Sequence, residues 1–328
     1  MKIEILKILR STDGYVSGQE LCDKLGVSRT AVWKVIGSLK EEGYEIDSVS
    51  RKGYRLLASP DVVSESEIAS RILDGVFGQR VVSYEITDST NTRAKQLAEE
   101  GAVHGTLVVA NMQTAGKGRR GRSWQQEEGS VIAMSLLLRP TFSPDKASML
   151  TLLAAHSVAG AIEAVTGLPA AIKWPNDIVI NRKKTVGILT EMSLGVEQAA
   201  IDYIVIGIGI NVNNTAFPED IRDMATSLYL EKGERVSRSV LIAESMRRLE
   251  ADYEAFLETE DLSAILQDYN THLISMNKEV RVLDPKGEYT GISRGMDAQG
   301  ELLVERADGE IVKVYAGEVS VRGLYGYV

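Results

Sequence analysis

The sequence predicts an α+β chain of several domains: a small helical head closed by a β-hairpin, a mixed α/β middle and a small all-β tail. Three observations carry this reading. Helical periodicity with capping signals fills the first 42 residues and then gives way to two short strands. From about residue 64 strands and helices alternate without a repeat. After Asn277 only short strands remain, cut by Asp-Pro-Lys-Gly, Asp-Ala-Gln-Gly and Ala-Asp-Gly turns. A chain of 328 residues has room for roughly two to three domains.

In the head, Ile3, Ile5, Leu6, Ile8 and Leu9 recur with helical period among Lys2, Glu4 and Lys7. "SGQELCDKLG" fits a second helix, with Ser17 as N-cap, Glu20 completing a capping box and Gly26 as the stop. "VSRTAVWKVIGSLKEEG" starts a third helix at Ser28; Val32, Val35, Ile36 and Leu39 face a core and Arg29, Thr30, Trp33 and Lys34 face outward. "YEIDSVSRKGYRLL" reads as two strands around a turn at Lys52-Gly53. This is the pattern of a winged helix-turn-helix. Ser28, Arg29, Thr30 and Lys34 stand where a recognition helix meets DNA, and Arg51 and Lys52 suit a wing tip touching phosphate. A protein-interaction module with a solvated basic face has the same pattern, and Trp33 either packs under the wing or reads DNA.

"ASPDVVSESE" is a polar linker ending in another capping box, Ser64 with Glu67, which places a boundary near residue 62. The middle domain, 63–272, then carries a helix from Ser64, a strand near 81–86, a helix after Asn91 and strands near 106–112 and 130–138. A buried helix at 147–166 follows, with Leu150, Leu153, Val158 and Ile162 on one stripe. "AIKWPNDIVINRKKTVGILTEMS" reads as a strand and hairpin, "IDYIVIGIGINVN" as a core strand, and helices return near 238–258 and 262–271. The tail, 273–328, has the strand spacing of a small SH3-like β-barrel.

Composition narrows the function. The chain carries a net charge of −9, but residues 1–60 sum to +2 and the remainder to −11, so nucleic-acid binding belongs to the head. A single cysteine, Cys22, excludes a disulfide framework and a cysteine-rich zinc site. His104, His156 and His272 lack ligand spacing. The charged start "MKIEILKILR" has no signal-peptide core, and the uncharged run from Ala147 to Ile162 is shorter than the roughly 20 residues of a bilayer span. The expectation is a cytoplasmic protein with no membrane partner.

"GKGRRGRSW", residues 116–124, puts four cations and three glycines together with no acid. Gly116 to Ser123 misses the P-loop pattern because Arg122 stands where its lysine belongs, and predicted strands flank the segment instead of a helix. Gly207-Ile-Gly209 lies inside a strand and lacks the third glycine of a dinucleotide fingerprint. What remains is a loop whose glycines admit close approach of an anion while Lys117, Arg119, Arg120 and Arg122 neutralise it.

Five ordered motifs resemble the biotin–protein ligase family: Asp88-Ser-Thr-Asn91, Gln113 through Trp124, Lys173-Trp-Pro-Asn-Asp177, Lys184 through Glu191, and Gly207 through Asn213. Gly291 to Gly295 and Gly317 to Ser320 resemble that family's C-terminal barrel, so with the winged head the resemblance, to bifunctional ligase–repressors, covers nearly the whole chain. It implies that biotin and ATP, with Mg²⁺, give biotinyl-5′-AMP, and that biotin then passes to a lysine of the biotin carboxyl carrier protein of acetyl-CoA carboxylase. It also implies operator DNA bound by a homodimer that biotinyl-5′-AMP promotes. Carried over position by position, Ser89, Thr90, Asn91 and Gln113 hold the biotin head group. Lys184 bridges carboxylate and α-phosphate, and Lys117, Gly118 and Arg119 hold the adenylate. Trp124 and Asn211 either contact adenine or are structural; Asp177 either helps hold Mg²⁺ or anchors Lys173. Lys117 departs from the arginine more usual in the family, keeping the charge but not the planar fork. Two alternatives stay open: a ligase whose head is no repressor, and a ligand sensor with an inactive body.

Overall fold

The computed structural model describes residues 1–118, 124, 128–195, 200–284, 287–316 and 320–323. Arg119, Arg120 and Arg122 of the basic loop, and Gly317 to Val319 of the tail motif, lie outside the described residues.

In the head, α1 (Lys2–Ser11), α2 (Gly18–Leu25) and α3 (Arg29–Glu41) precede a hairpin of β1 (Glu45–Val49) and β2 (Gly53–Ala58). The caps act as the sequence requires: Ser17 Oγ accepts from Glu20 N–H at 3.0 Å, and Ser28 Oγ from Ala31 N–H at 3.3 Å. Val32, Val35, Ile36 and Leu39 join Leu6, Leu21 and Tyr44 in a core of the head's own. Trp33 is 67% exposed, which excludes packing beneath the wing.

The linker differs from its sequence reading. Helix α4 (Glu65–Ala69) is capped by Ser64 as expected, but the Glu67 carboxylate does not serve that cap. It is fully buried and accepts from Arg10 Nη2 at 2.6 Å, Tyr44 Oη at 2.7 Å, Arg71 Nε at 2.7 Å and Ser239 Oγ at 2.8 Å. Head, linker and body thus share one acceptor. The stronger, charge-assisted donors outcompete the capping geometry.

The body is built on a seven-stranded sheet, order β3-β4-β5-β9-β8-β7-β6. Its strands are β3 (Val81–Thr87), β4 (Leu107–Gln113), β5 (Val131–Leu138), β6 (Ala171–Lys173), β7 (Asp177–Ile180), β8 (Lys183–Leu194) and β9 (Ile201–Asn211). Only β3 and β4 run parallel; the other pairs are antiparallel. Strand alternation divides the faces. Ile132, Met134, Leu136 and Leu138 of β5 enter the main core with α6 (Met149–Thr166) and α8 (Arg238–Thr259). Leu137, with Val108 and Val205, packs instead under Ala94 and Ala98 of α5 (Thr90–Glu99). Helix α6 is buried well beyond the expected stripe, on Leu152, Ala154, Ala155 and Ala161 too, because it lies between the sheet and α8. With the turn from Pro144 it reaches the length and apolarity of a bilayer span, yet two thirds of that window is buried in the body, which makes it a core helix.

Helix α7 (Leu228–Lys232) follows β9, and α9 (Leu266–His272) leads into the tail. The tail is a five-stranded antiparallel sheet of β10 (Glu279–Leu283), β11 (Tyr289–Met296), β12 (Leu302–Glu305), β13 (Ile311–Val314) and β14 (Ser320–Gly323), order β13-β12-β11-β10-β14. Trp174 Nε1 donates to the Gly300 carbonyl at 3.2 Å, and Asn270 exchanges two hydrogen bonds with Met296. The tail is therefore docked on the body by directed bonds.

Candidate active site

A cavity opens where the first turn of α5 meets β4, β8 and β9, with about 480 Å³ of space including the solvent at its mouth, within the range of small-molecule sites. Its floor is bare backbone. Gly187 on β8 pairs with Gly209 on β9, and Gly207 pairs with both Leu189 and Ser135. A Cβ at Gly207 would lie 2.1 Å from Asn91 Oδ1, and one at Gly209 2.8 Å from the Trp124 indole. The glycines let those two side chains approach the sheet closely.

One wall is a polar network. Gln113 Oε1, at the end of β4, accepts from Thr90 N–H at 2.7 Å and from Thr90 Oγ1 at 3.0 Å. Ser89, the N-cap of α5, makes no side-chain cap bond, and the helix's first amide, that of Thr90, is taken by Gln113. Ser135 Oγ lies 2.8 Å from Thr90 Oγ1 and 2.6 Å from Asn91 Oδ1, with one proton for two acceptors. Asn91 Nδ2 donates to Glu191 Oε2 at 2.8 Å and to the Leu189 carbonyl at 3.3 Å. Lys95 completes the chain with an ion pair to Glu191. Burial pushes the Glu191 carboxyl up, but the bonds from Lys95 and Asn91 outweigh it and hold the group below its ordinary value. Both ends of the Asn91 amide are thus engaged by protein, making it a wall of the cavity more than a free hand.

The opposite wall is cationic. Lys184, only 27% exposed, is no surface lysine: its Nζ is 2.5 Å from Asp177 Oδ1 and 5.6 Å above the Trp124 ring. Its backbone is fixed too, N–H to the Met224 carbonyl at 2.7 Å and carbonyl from Thr226 N–H at 2.9 Å. The basic loop leaves at Gly116 and returns at Trp124, whose N–H donates to the Gly116 carbonyl at 2.9 Å. Lys117 and Gly118 line the cavity beside this closure.

The structure thus brings Ser89, Thr90, Asn91, Gln113, Lys117, Gly118, Trp124 and Lys184 around one cavity. Arg119 lies outside the described residues. Asn211 does not line the cavity; it is buried and donates to the Thr226 carbonyl at 3.1 Å, steadying the segment that holds Lys184. Asp177 serves as the Lys184 counter-ion. No group of three or more His, Cys, Asp or Glu capable of holding a metal occurs among the described residues. Ser135 and Lys95 are not singled out by the sequence, whereas Glu191 and the floor glycines stand in its motifs without a role of their own. The signal for Ser135 was there: it is the one polar residue within "VIAMSLLL". In the head, Ser28, Arg29, Thr30, Lys34, Arg51 and Lys52 are all exposed. Arg29 is steadied by Gln19 Oε1 at 2.8 Å, and Lys52 Nζ stands 5.8 Å over the Tyr15 ring.

A winged head joined to a mixed sheet with a glycine-floored, cation-walled cavity defines the class. The chain belongs to the biotin/lipoate A/B protein ligase family, which residues 83–211 match; residues 2–55 match an HTH domain and residues 276–322 the biotin protein ligase C-terminal domain. It is 43% identical to the bifunctional ligase/repressor BirA of Bacillus spizizenii, over 94% of both chains. Identity to the bifunctional ligase/repressor BirA of Escherichia coli is 33%, over 93% of this chain and 92% of that one. Among solved structures, the biotin protein ligase from Aquifex aeolicus in complex with biotin and ATP superposes with a TM-score of 0.65 at 31% identity, covering 75% of this chain and 99% of that one.

Proposed function

We propose that this protein is a biotin–protein ligase that doubles as a biotin-responsive repressor, with a DNA-binding head at 1–62, a catalytic domain at 63–272 and a docked tail at 273–328. The observation that carries the chemistry is Lys184, held between Asp177 and the Trp124 ring above the cavity. In the first step a biotin carboxylate oxygen attacks the α-phosphorus of ATP, and the bond to pyrophosphate breaks. Two anions meet there, so a fixed cation at their junction lowers the barrier more than a mobile one. In the second step a lysine amine of the biotin carboxyl carrier protein attacks the acyl carbon, loses a proton and expels AMP.

Ser89, Thr90 and Gln113 present hydroxyl and amide groups to the polar biotin head, with Asn91, buttressed by Ser135 and Glu191, shaping the wall beside them. Lys117 and Gly118, with Arg119 by family resemblance, hold the adenylate phosphate. Trp124 offers a face for adenine, while Asn211 acts by supporting the Lys184 segment. Asp177 does not suit Mg²⁺: its carboxylate is already paired with Lys184, no group of three or more His, Cys, Asp or Glu that could hold a metal occurs among the described residues, and the cation accompanies the phosphates of ATP. Incubation with biotin, ATP, Mg²⁺ and a carrier domain should add one biotinyl group to a single lysine, read by mass; an unmodified carrier refutes the assignment.

The exposed face of α3 and the wing tip suit major-groove and phosphate contact. A duplex selected by the protein from a random pool should bind more tightly with biotin and ATP present, as a homodimer assembled on biotinyl-5′-AMP. Equal affinity with and without them refutes the repressor reading.

A further inference from the structure

The segment joining head to body is tied to the cavity strands through one buried side chain. Arg238 opens α8 and is 3% exposed. Its N–H donates to Asp61 Oδ1 at 2.9 Å, its Nε to Asp61 Oδ2 at 3.1 Å and its Nη2 to the Asp61 carbonyl at 2.8 Å. Nη1 reaches the other way, to Asn111 Oδ1 at 2.9 Å and to the Val131 carbonyl at 3.3 Å. Val131 begins β5, and Asn111 lies on β4 two residues before Gln113, on the same face. Asn213, just past β9, also donates to Asp61 Oδ2 at 3.3 Å.

We infer that Asp61, a residue of the head's linker, is a positioning residue for the ligation site: by fixing the Arg238 guanidinium it sets Asn111 and the end of β4 that carries Gln113. The inference rests on the ligase reading above. A guanidinium presents its donors in a rigid fork, so anchoring one edge aims the other. Two guanidinium donors go to Asp61, Nε to its carboxylate and Nη2 to its backbone carbonyl, which leaves Nη1 aimed at the two strands. In Asp61→Asn the negative charge is gone and an NH₂ replaces one of the two oxygens that accept from Arg238. The guanidinium keeps Nη2 on the residue-61 carbonyl but loses the carboxylate at Nε, and since the side chain at 61 is a third exposed it can tilt toward water without the body unfolding. The bond from Nη1 to Asn111 is weakened, which leaves the Asn111 side chain leaning on its 2.7 Å bond to Glu85. The disturbance arrives at Gln113 and Thr90, on the biotin-head side of the cavity, and not at Lys184.

That location dictates the readout. In the full-length chain, with biotin varied and ATP, Mg²⁺ and carrier domain saturating, Asp61→Asn should raise KM for biotin about tenfold. The kcat should stay within about twofold, because binding common to ground and transition states is what is lost. Asn111→Ala should raise the same KM, and the double variant should be no worse than the more affected single one, since both act along one relay. Wild-type KM in Asp61→Asn, an equal loss in kcat, or strictly additive single effects overturns the inference. A native chain that transfers no biotin overturns the ligase reading and this inference with it. Normal transfer by the native chain with an unaltered Asp61→Asn overturns the inference alone.

Discussion

Replacing Gly207 by alanine puts the cavity floor to a direct test. The added methyl would lie 2.1 Å from Asn91 Oδ1 and 2.8 Å from both Asn91 Cγ and Nδ2. Real Cβ atoms do not come so close, so the amide must move. It is held on three sides, by Ser135 Oγ at 2.6 Å, Glu191 Oε2 at 2.8 Å and the Leu189 carbonyl at 3.3 Å. Overpacking a tight site costs about 1–3 kcal/mol, and weakening bonds to Asn91, one of them charge-assisted, adds about 1–2 kcal/mol. A loss of about 3 kcal/mol lowers the melting midpoint of a domain this size by roughly 6–12 °C. Gly209→Ala should cost less, because its methyl meets the Trp124 indole at 2.8–3.1 Å and not a bonded amide. Thermal melts followed by circular dichroism, with biotin titrated by calorimetry, measure both effects. Gly207→Ala with an unchanged midpoint and unchanged biotin affinity would refute the account of the floor.

Lys184→Ala should slow pyrophosphate release by on the order of 10²-fold or more while the protein stays folded; near-normal release removes Lys184 from the chemistry. His156 has Asp252 Oδ2 and Asp268 Oδ2 each 2.8 Å from a ring nitrogen, which requires the imidazolium. Burial alone would lower its pKa, but the two carboxylates outweigh burial and raise it. Its stabilisation is therefore present below the unfolded-state pKa and lost as pH rises through the folded one. The melting midpoint should fall with rising pH above about 6.5, a slope that His156→Asn should flatten; identical slopes count against it. Deleting residues 1–62 removes Arg10, Tyr44 and Asp61, leaving Glu67 and Arg238 without those partners, so ligation should fall as well as DNA binding. A truncated chain with full ligase activity would show that these contacts do not matter to the body.

The winged head was legible almost throughout because its signals are local. Ser17 and Ser28 cap the helices they precede, and a period of 3.6 separates buried Val32, Val35, Ile36 and Leu39 from exposed Arg29, Thr30 and Lys34. The cavity's polar residues were legible as motifs, through family resemblance more than through any spacing rule. What escaped were relations fixed by the sheet. The order β3-β4-β5-β9-β8 brings Ser135 beneath Thr90 and Gly207 beneath Asn91 across long sequence separations. Glu67 was misread for the same reason: Ser64 and Glu67 satisfy a capping pattern, and nothing local reveals that Arg10, Tyr44 and Ser239 converge on that carboxylate. For Asn211 and Asp177 the sequence leaves a ligand and a structural role open, and the sheet decides their neighbours: Asn211 donates to the Thr226 carbonyl and Asp177 pairs with Lys184.

The shared Glu67 carboxylate bears on how such proteins can be recombined. A head taken from a relative and spliced in at the linker would bring its own residues to positions 10 and 44. Unless these supply a guanidinium and a phenol at the same reach, an acid with no access to water is left short of donors. The surface between head and body is thus a matched lock, and successful hybrids should be those that carry α1, the residue just before β1 and α4 across together.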